Sequence, residues 1–195
     1  MSSRSVKSNT LPTKTKLGIA VIIALSVIIL VTVVLMILDA CGVLYKTDES
    51  VEIVPPEKAS TNVLKDGEYS YVILKDGTAM ITNSSLPADT LEITVPQTLG
   101  GYKVTAIGES AFALLTNVQT VRIPEGVTYI GKAVFFGALN AKLYLPSTLK
   151  QVDEGAMEGF DEPAGIYYAG TAEMWSEVKI GDKNAVLARV VFNEE

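Results

Sequence analysis

The sequence has no histidine, one cysteine and one tryptophan in 195 residues, and charged side chains make up only 19% of it. Without histidine, no Ser-His-Asp triad, Cys-His pair or histidine-bearing zinc site forms within the chain. Cys41 alone makes neither an intrachain disulfide nor a thiolate cage. Basic residues thin out after the first 16 positions. Four of the 16 cations (Arg4, Lys7, Lys14, Lys16) precede Leu17, which leaves 12 against 22 acids and a net charge of −10 over residues 39–195. A domain of that sign has no sequence-independent attraction for nucleic acid or for anionic lipid surfaces. Also missing are a Walker loop, a GxGxxG after a strand and a metal-ligand cluster, so no cofactor is expected. Catalysis would fall to carboxylates, as in a glycan hydrolase with two acids about 5 to 9.5 Å apart. No motif surrounds any acid here, and the chain reads as a non-enzyme.

The chain does have one long apolar run. Residues 17–38, LGIAVIIALSVIILVTVVLMIL, are 22 consecutive residues without a charge. As a helix they reach roughly 33 Å, enough to cross a hydrocarbon core of about 30 Å. Ser26 and Thr32, its only polar side chains, can bond to carbonyls one turn back. Four cations precede the run, whereas Asp39, Lys46, Asp48, Glu49 and Glu52 follow it. The positive-inside rule then makes residues 1–16 a cytoplasmic basic tail, residues 17–38 a single transmembrane helix, and everything later extracellular. A cleaved signal peptide is the alternative, although its apolar core is usually 7 to 15 residues. A second alternative rests on LDACG at 38–42, which is similar to a bacterial lipobox and would anchor a lipoprotein through Cys41, with Asp39 departing from that pattern.

Residues 39–68 mix Pro55, Pro56, charges and small polar groups without a period, and are read as a flexible extracellular linker. YSYVIL from Tyr69 and TAMIT from Thr78 then flank Asp76-Gly77, a strong hairpin signal, and this hairpin is expected to cap the first coil of the C-terminal part of the chain. Beyond it the chain aligns with itself. Ile107, Ile130 and Val152 recur at spacings of 23 and 22, as do Phe112, Phe135 and Met157; Pro96, Pro124 and Pro146 keep the same phase apart from an insertion at Leu99–Tyr102. A period in this range is that of a solenoid. Alternation in Ile93-x-Val95, Val121-x-Ile123 and Leu143-x-Leu145 marks short strands ended by a proline, which cannot donate to a ladder. The residues after Ile130 are expected to return as a helical or irregular arm.

IPEGVTYIGKAVF and VPQTLGGYKVTAIGESAF closely resemble the unit of the BspA-type (treponemal) leucine-rich repeat family, and GIYYAGT followed by EMWSEV is similar to its terminal unit. The resemblance covers residues 69–195. It implies a short, right-handed, parallel-stranded β-rich solenoid of the α/β leucine-rich-repeat type, with three to four coils closed by a short helix bearing Met174, Trp175 and Val178. It also implies a bacterial or protist surface protein used in adhesion and protein contact. Leu115, Ala138 and Phe160 fill the family's cysteine position and keep it apolar; Asp153 replaces the glycine of the earlier units, so a less regular third coil is expected.

If Ile93, Val121, Ile123, Leu143 and Leu145 point inward, their neighbours point out. In-register stacking then places Thr94, Arg122, Tyr144 and Tyr167 in one row and Glu92, Thr120 and Lys142 in the next. A row of arginine and tyrosines has the composition of an interface hot spot, so Arg122, Tyr144, Tyr167, Thr94, Thr120 and Lys142 are the candidate ligand-binding residues. The expected partners are the membrane and an extracellular protein, peptide or cell-envelope ligand. The rival reading is a structural spacer that self-associates at the cell surface.

Overall fold

Strands of two to four residues cannot bury a face unaided, and the chain solves this by stacking them. In the computed structural model the described residues are 52–138, 140–160 and 163–192. Five strands, β4 (Glu92–Thr94), β7 (Thr120–Arg122), β9 (Lys142–Leu145), β11 (Gly165–Tyr168) and β13 (Val191–Phe192), pair in parallel in that order. A second, eight-stranded sheet begins with β1 (Leu64–Asp66), which pairs antiparallel with β2 (Tyr69–Ile73), itself antiparallel to β3 (Ala79–Ser84). It continues in parallel through β6 (Tyr102–Ile107), β8 (Tyr129–Ile130), β10 (Gln151–Val152) and β12 (Lys179–Ile180), with β5 (Thr98–Leu99) beside β6.

Each turn of chain contributes one rung to each sheet. The passage from the five-stranded to the eight-stranded sheet is made at Pro96, Pro124 and Pro146, where the ladder must stop. Successive turns are tied there: the Glu125 carboxylate accepts from the Ser147 N–H (2.8 Å) and hydroxyl (3.0 Å), and Thr148 Oγ1 accepts from the Gly126 N–H (2.9 Å). Between the sheets lies one apolar core. Ile93, Val95, Ile107, Phe112, Val121, Ile123, Ile130, Phe135, Leu143, Leu145 and Val152 are all buried in it, as alternation predicts, and so are Leu115, Ala138 and Phe160.

The return arm is not helical; it is a run of turns that repeats from coil to coil. Backbone bonds run from turn to turn, Ser110 N–H to Lys132 O, Phe112 to Val134 and Leu114 to Phe136. Left-handed residues recur in phase along it: Ser110, Ala133, Gly155 and Lys183 at one position, Leu114, Gly137 and Gly159 at another. Asp153 does not disturb its coil. Its N–H still donates to Ile130 O, as Gly131 donates to Ile107 O, while its carboxylate accepts from the Tyr129 hydroxyl (2.9 Å) and the Glu154 N–H.

The end of the repeat differs from the expected closing helix. The helix α1 (Ala172–Ser176), capped by the Thr171 side chain, sits between β11 and β12, and a further rung follows it. There are five rungs in the smaller sheet, not three or four. Trp175 packs against Tyr168 with ring centroids 4.9 Å apart and Val178 is buried, but Met174 faces solvent because a one-and-a-half-turn helix offers only one inward face. The final coil is held by Asn184, a buried amide that donates to the carbonyls of Asp153, Gly181 and Asp182 and accepts from the Met157 N–H. Residues 52–68, placed in a linker by composition, instead lie against the eight-stranded sheet and supply β1. The readings of residues 1–16, residues 17–38 and Cys41 fall outside the described residues. Among the described residues no helix is long and apolar enough to cross a membrane.

Candidate ligand-binding strip

The register fixes the geometry of the strip. Thr94 pairs with Arg122, Arg122 with Tyr144, Tyr144 with Tyr167 and Tyr167 with Val191, so these side chains share one lateral row on the outer face of the five-stranded sheet. Beside it run Glu92, Thr120, Lys142 and Gly165. The structure therefore brings together all six candidate residues. Thr94, Arg122 and Lys142 are exposed, and Thr120, Tyr144 and Tyr167 are half-buried.

Within the row the aromatic groups and the cation form a continuous stack. Tyr144 and Tyr167 lie 5.0 Å apart at 17°, close to the spacing between neighbouring strands. The Arg122 guanidinium carbon lies 4.2 Å from the Tyr144 ring centre, and Nε donates to Glu92 Oε1 at 3.1 Å. This order is local in origin. The arginine lies between a ring and a carboxylate, each attractive to it, and contributes about 0.5–1 kcal/mol to the former at an exposed site. Gly165 completes the arrangement: a Cβ there would lie 2.7 Å from the Tyr167 ring, so the missing side chain lets the ring settle on the sheet. The charge of Arg122 is thus shared with Glu92. What the strip presents outward is the remaining surface of two fixed rings, their hydroxyls, two threonines and Lys142.

Among the described residues no group of three or more His, Cys, Asp or Glu side chains is placed to hold a metal ion. Of the acids near residue 154, Asp153 accepts from Tyr129 and Glu154 is paired with cations. Glu154 meets Lys183 at 2.5 Å and Lys132 at 4.0 Å, and these cations hold its carboxyl below the usual range. An open groove of about 400 Å³ beside α1, bordered by Ser147, Gln151, Tyr168, Met174, Glu177 and Lys179, was not foreseen. Its lining comes from two neighbouring turns, the second carrying α1, with no repeating pattern for a sequence reading to catch. Tyr168 and Met174 give it apolar surface beside Lys150, Glu177 and Lys179, but it has no stacked aromatic row like that of the strip.

Residues 89–168 match the family described as BspA type leucine-rich repeat region, in six copies. Three solved structures are similar. A leucine-rich repeat protein of T. pallidum is 20% identical with a TM-score of 0.48, the match covering 55% of this chain and 53% of that one. A leucine-rich cell surface protein of Faecalibacterium prausnitzii is 27% identical with a TM-score of 0.46, covering 56% and 33%. A leucine-rich repeat protein of Bacteroides capillosus is 24% identical with a TM-score of 0.38, covering 55% and 99%. The matched part thus spans about half of the first protein and a third of the second. No curated protein matches the chain.

Proposed function

We propose that this chain, whose residues 89–168 form a BspA-type leucine-rich repeat region, is a membrane-anchored binding module that displays its repeat domain outside the cell and performs no chemistry. The observation that carries the binding role is the stacked row of Arg122, Tyr144 and Tyr167, fixed by the register of three strands and left uncovered among the described residues. Rigid aromatic area beside a planar cation binds with little loss of side-chain entropy. With Glu92 beside the arginine, the row suits an extracellular protein or a sugar-bearing envelope ligand with apolar faces and hydroxyls more than a strongly anionic one.

Anchoring rests on the 22 uncharged residues at 17–38 and the four cations before them. Protease added to intact cells should digest the repeat domain and spare the first 16 residues; a protected repeat domain ends the outside assignment. For the binding role, full-length protein in detergent is used to capture partners from envelope extracts. Its Arg122→Ala, Tyr144→Ala, Tyr167→Ala triple variant should lose at least about 30-fold in affinity, the scale set by hot spots of 2 kcal/mol or more. A folded triple variant with unchanged capture removes the strip as the site.

A further inference from the structure

The eight-stranded sheet has an outer row of its own. Val72, Met80, Ala106, Tyr129, Gln151 and Lys179 are in register one after another. The first four, with Leu74, face away from the main core yet are no more than 6% exposed. An apolar row on the outside of a sheet needs a cover, and the segment that lies on it is the chain's own residues 52–59. Ile53 packs on this cluster. Val54 donates its N–H to Gln151 Oε1 at 3.1 Å. Farther along, the Glu57 carbonyl accepts from the Lys75 N–H, the Glu57 and Lys75 side chains pair, Lys58 bridges Leu74 and the Ala59 N–H reaches Ile73 O. The segment therefore crosses the row from β10 to the end of β2.

Its hold is thin compared with what it covers. Only Ile53 and Pro56 are half-buried, and the other residues from Glu52 to Ala59 are exposed. Pro55 and Pro56 keep the backbone extended and bring no N–H to the sheet. Segments with so few buried contacts open at the low end of a protein's range of local free energies. Opening this one uncovers apolar side chains on β2, β3, β6 and β8.

We propose that this row is a docking groove for an extended, proline-bearing apolar peptide, closed in cis by residues 52–59 and filled in trans by the same residues of a second copy. The choice of occupant follows from fit. The groove is matched to an isoleucine beside a backbone N–H that meets Gln151, and to an acid three residues later that meets Lys75. A second copy carries that set at that spacing. Exchanging an identical segment replaces each contact by its equivalent and yields a reciprocal, two-fold pair.

The experiment uses the full-length chain with a protease-cleavable sequence inserted between Asn62 and Val63, so that folding precedes cutting. Residues 1–62 should then dissociate, with Trp175 fluorescence unchanged, and a fluorescein-labelled synthetic peptide of residues 50–60 should bind in their place. Ile53→Asp in that peptide should weaken binding at least 10-fold. Two differently tagged, uncut full-length copies should be captured together, and excess peptide should abolish the capture. A cut fragment that stays bound against excess peptide, or a vacated chain that does not bind the peptide, overturns the groove. Peptide binding without co-capture of the tagged copies overturns the second copy as occupant and leaves the groove to a foreign peptide.

Discussion

Phe112 stands in an aromatic column, with Tyr69 edge-on at 6.2 Å on one side and Phe135 stacked at 5.9 Å on the other. It is almost fully buried, so Phe112→Ala removes contacts to two neighbouring turns and leaves a cavity between them. The expected cost is about 3–5 kcal/mol, a large share of an ordinary domain stability of about 5–15 kcal/mol, read as a lowered midpoint in urea. A variant melting within a degree or two of the parent contradicts the placement. Tyr129 illustrates a different kind of residue effect. Burial, and then its bond to the Asp153 carboxylate, raise its pKa above the usual value near 10. The unfolded chain therefore loses this proton first as pH rises, so Tyr129 contributes stability that is intact below about pH 10 and fades above it. Tyr129→Phe should cost about 0.5–1.5 kcal/mol at neutral pH and show a shallower loss of stability between pH 10 and 11, measured by denaturation at several pH values. The inward set and the six strip residues were readable because alternating apolar residues mark the rungs, with a proline closing three of them. Asn184 was not, since a single buried amide leaves no period in a sequence.

Elements of two residues have no alternation to read, which is why β8, β10 and β12 came to light only in the structure, although Ile130 and Val152 were correctly placed inside. The left-handed positions were hidden for a related reason. Ser110, Leu114, Ala133 and Lys183 occupy backbone conformations that glycine would advertise. Leu114 has φ of 67° and an exposed side chain, whereas Gly137 and Gly159 fill the same position in the next two turns. Leu114→Gly relieves a left-handed cost of roughly 1–2 kcal/mol against about 0.5–1 kcal/mol of added unfolded-chain entropy. A slightly raised melting temperature is expected, and a clear drop would mean that the exposed leucine has a partner. Gly131 shows the opposite sensitivity. A Cβ there would lie 2.9 Å from the Glu109 nitrogen and 3.0 Å from the Gly108 carbonyl carbon, both backbone atoms of the preceding turn. Gly131→Ala must force the turns apart and should destabilise by about 1–3 kcal/mol or more, again by urea denaturation. The helix α1 was legible as an element but not in its place, because inserting it lengthens the interval from Val152 to Ile180 to 28 residues and breaks the period.

In the whole molecule each turn touches mainly its neighbours, so stability accumulates along the stack and is weakest at an end. Asn184 ties the final coil to the one before, and Asn184→Ala leaves four backbone groups without their partner. Amide exchange should accelerate through residues 179–192 while residues 93–145 keep their protection; uniform acceleration would mean that the domain opens only as one unit. The apolar outer row escaped the sequence reading at this scale as well. Its members stand one per strand, up to 26 residues apart in the chain, between Met80 and Ala106, and only the assembled sheet makes them neighbours. The path of residues 52–59 across that row also determines how the molecule meets a mechanical load. A pull that lifts residue 52 away from the sheet breaks the contacts at Ile53, Val54, Glu57 and Ala59 in succession, as a zip opens, instead of shearing them together. Eight residues, with an extended reach of about 26–29 Å, come free in this way before β1 carries any of the tension, so the stacked rungs stay unstretched while the segment peels.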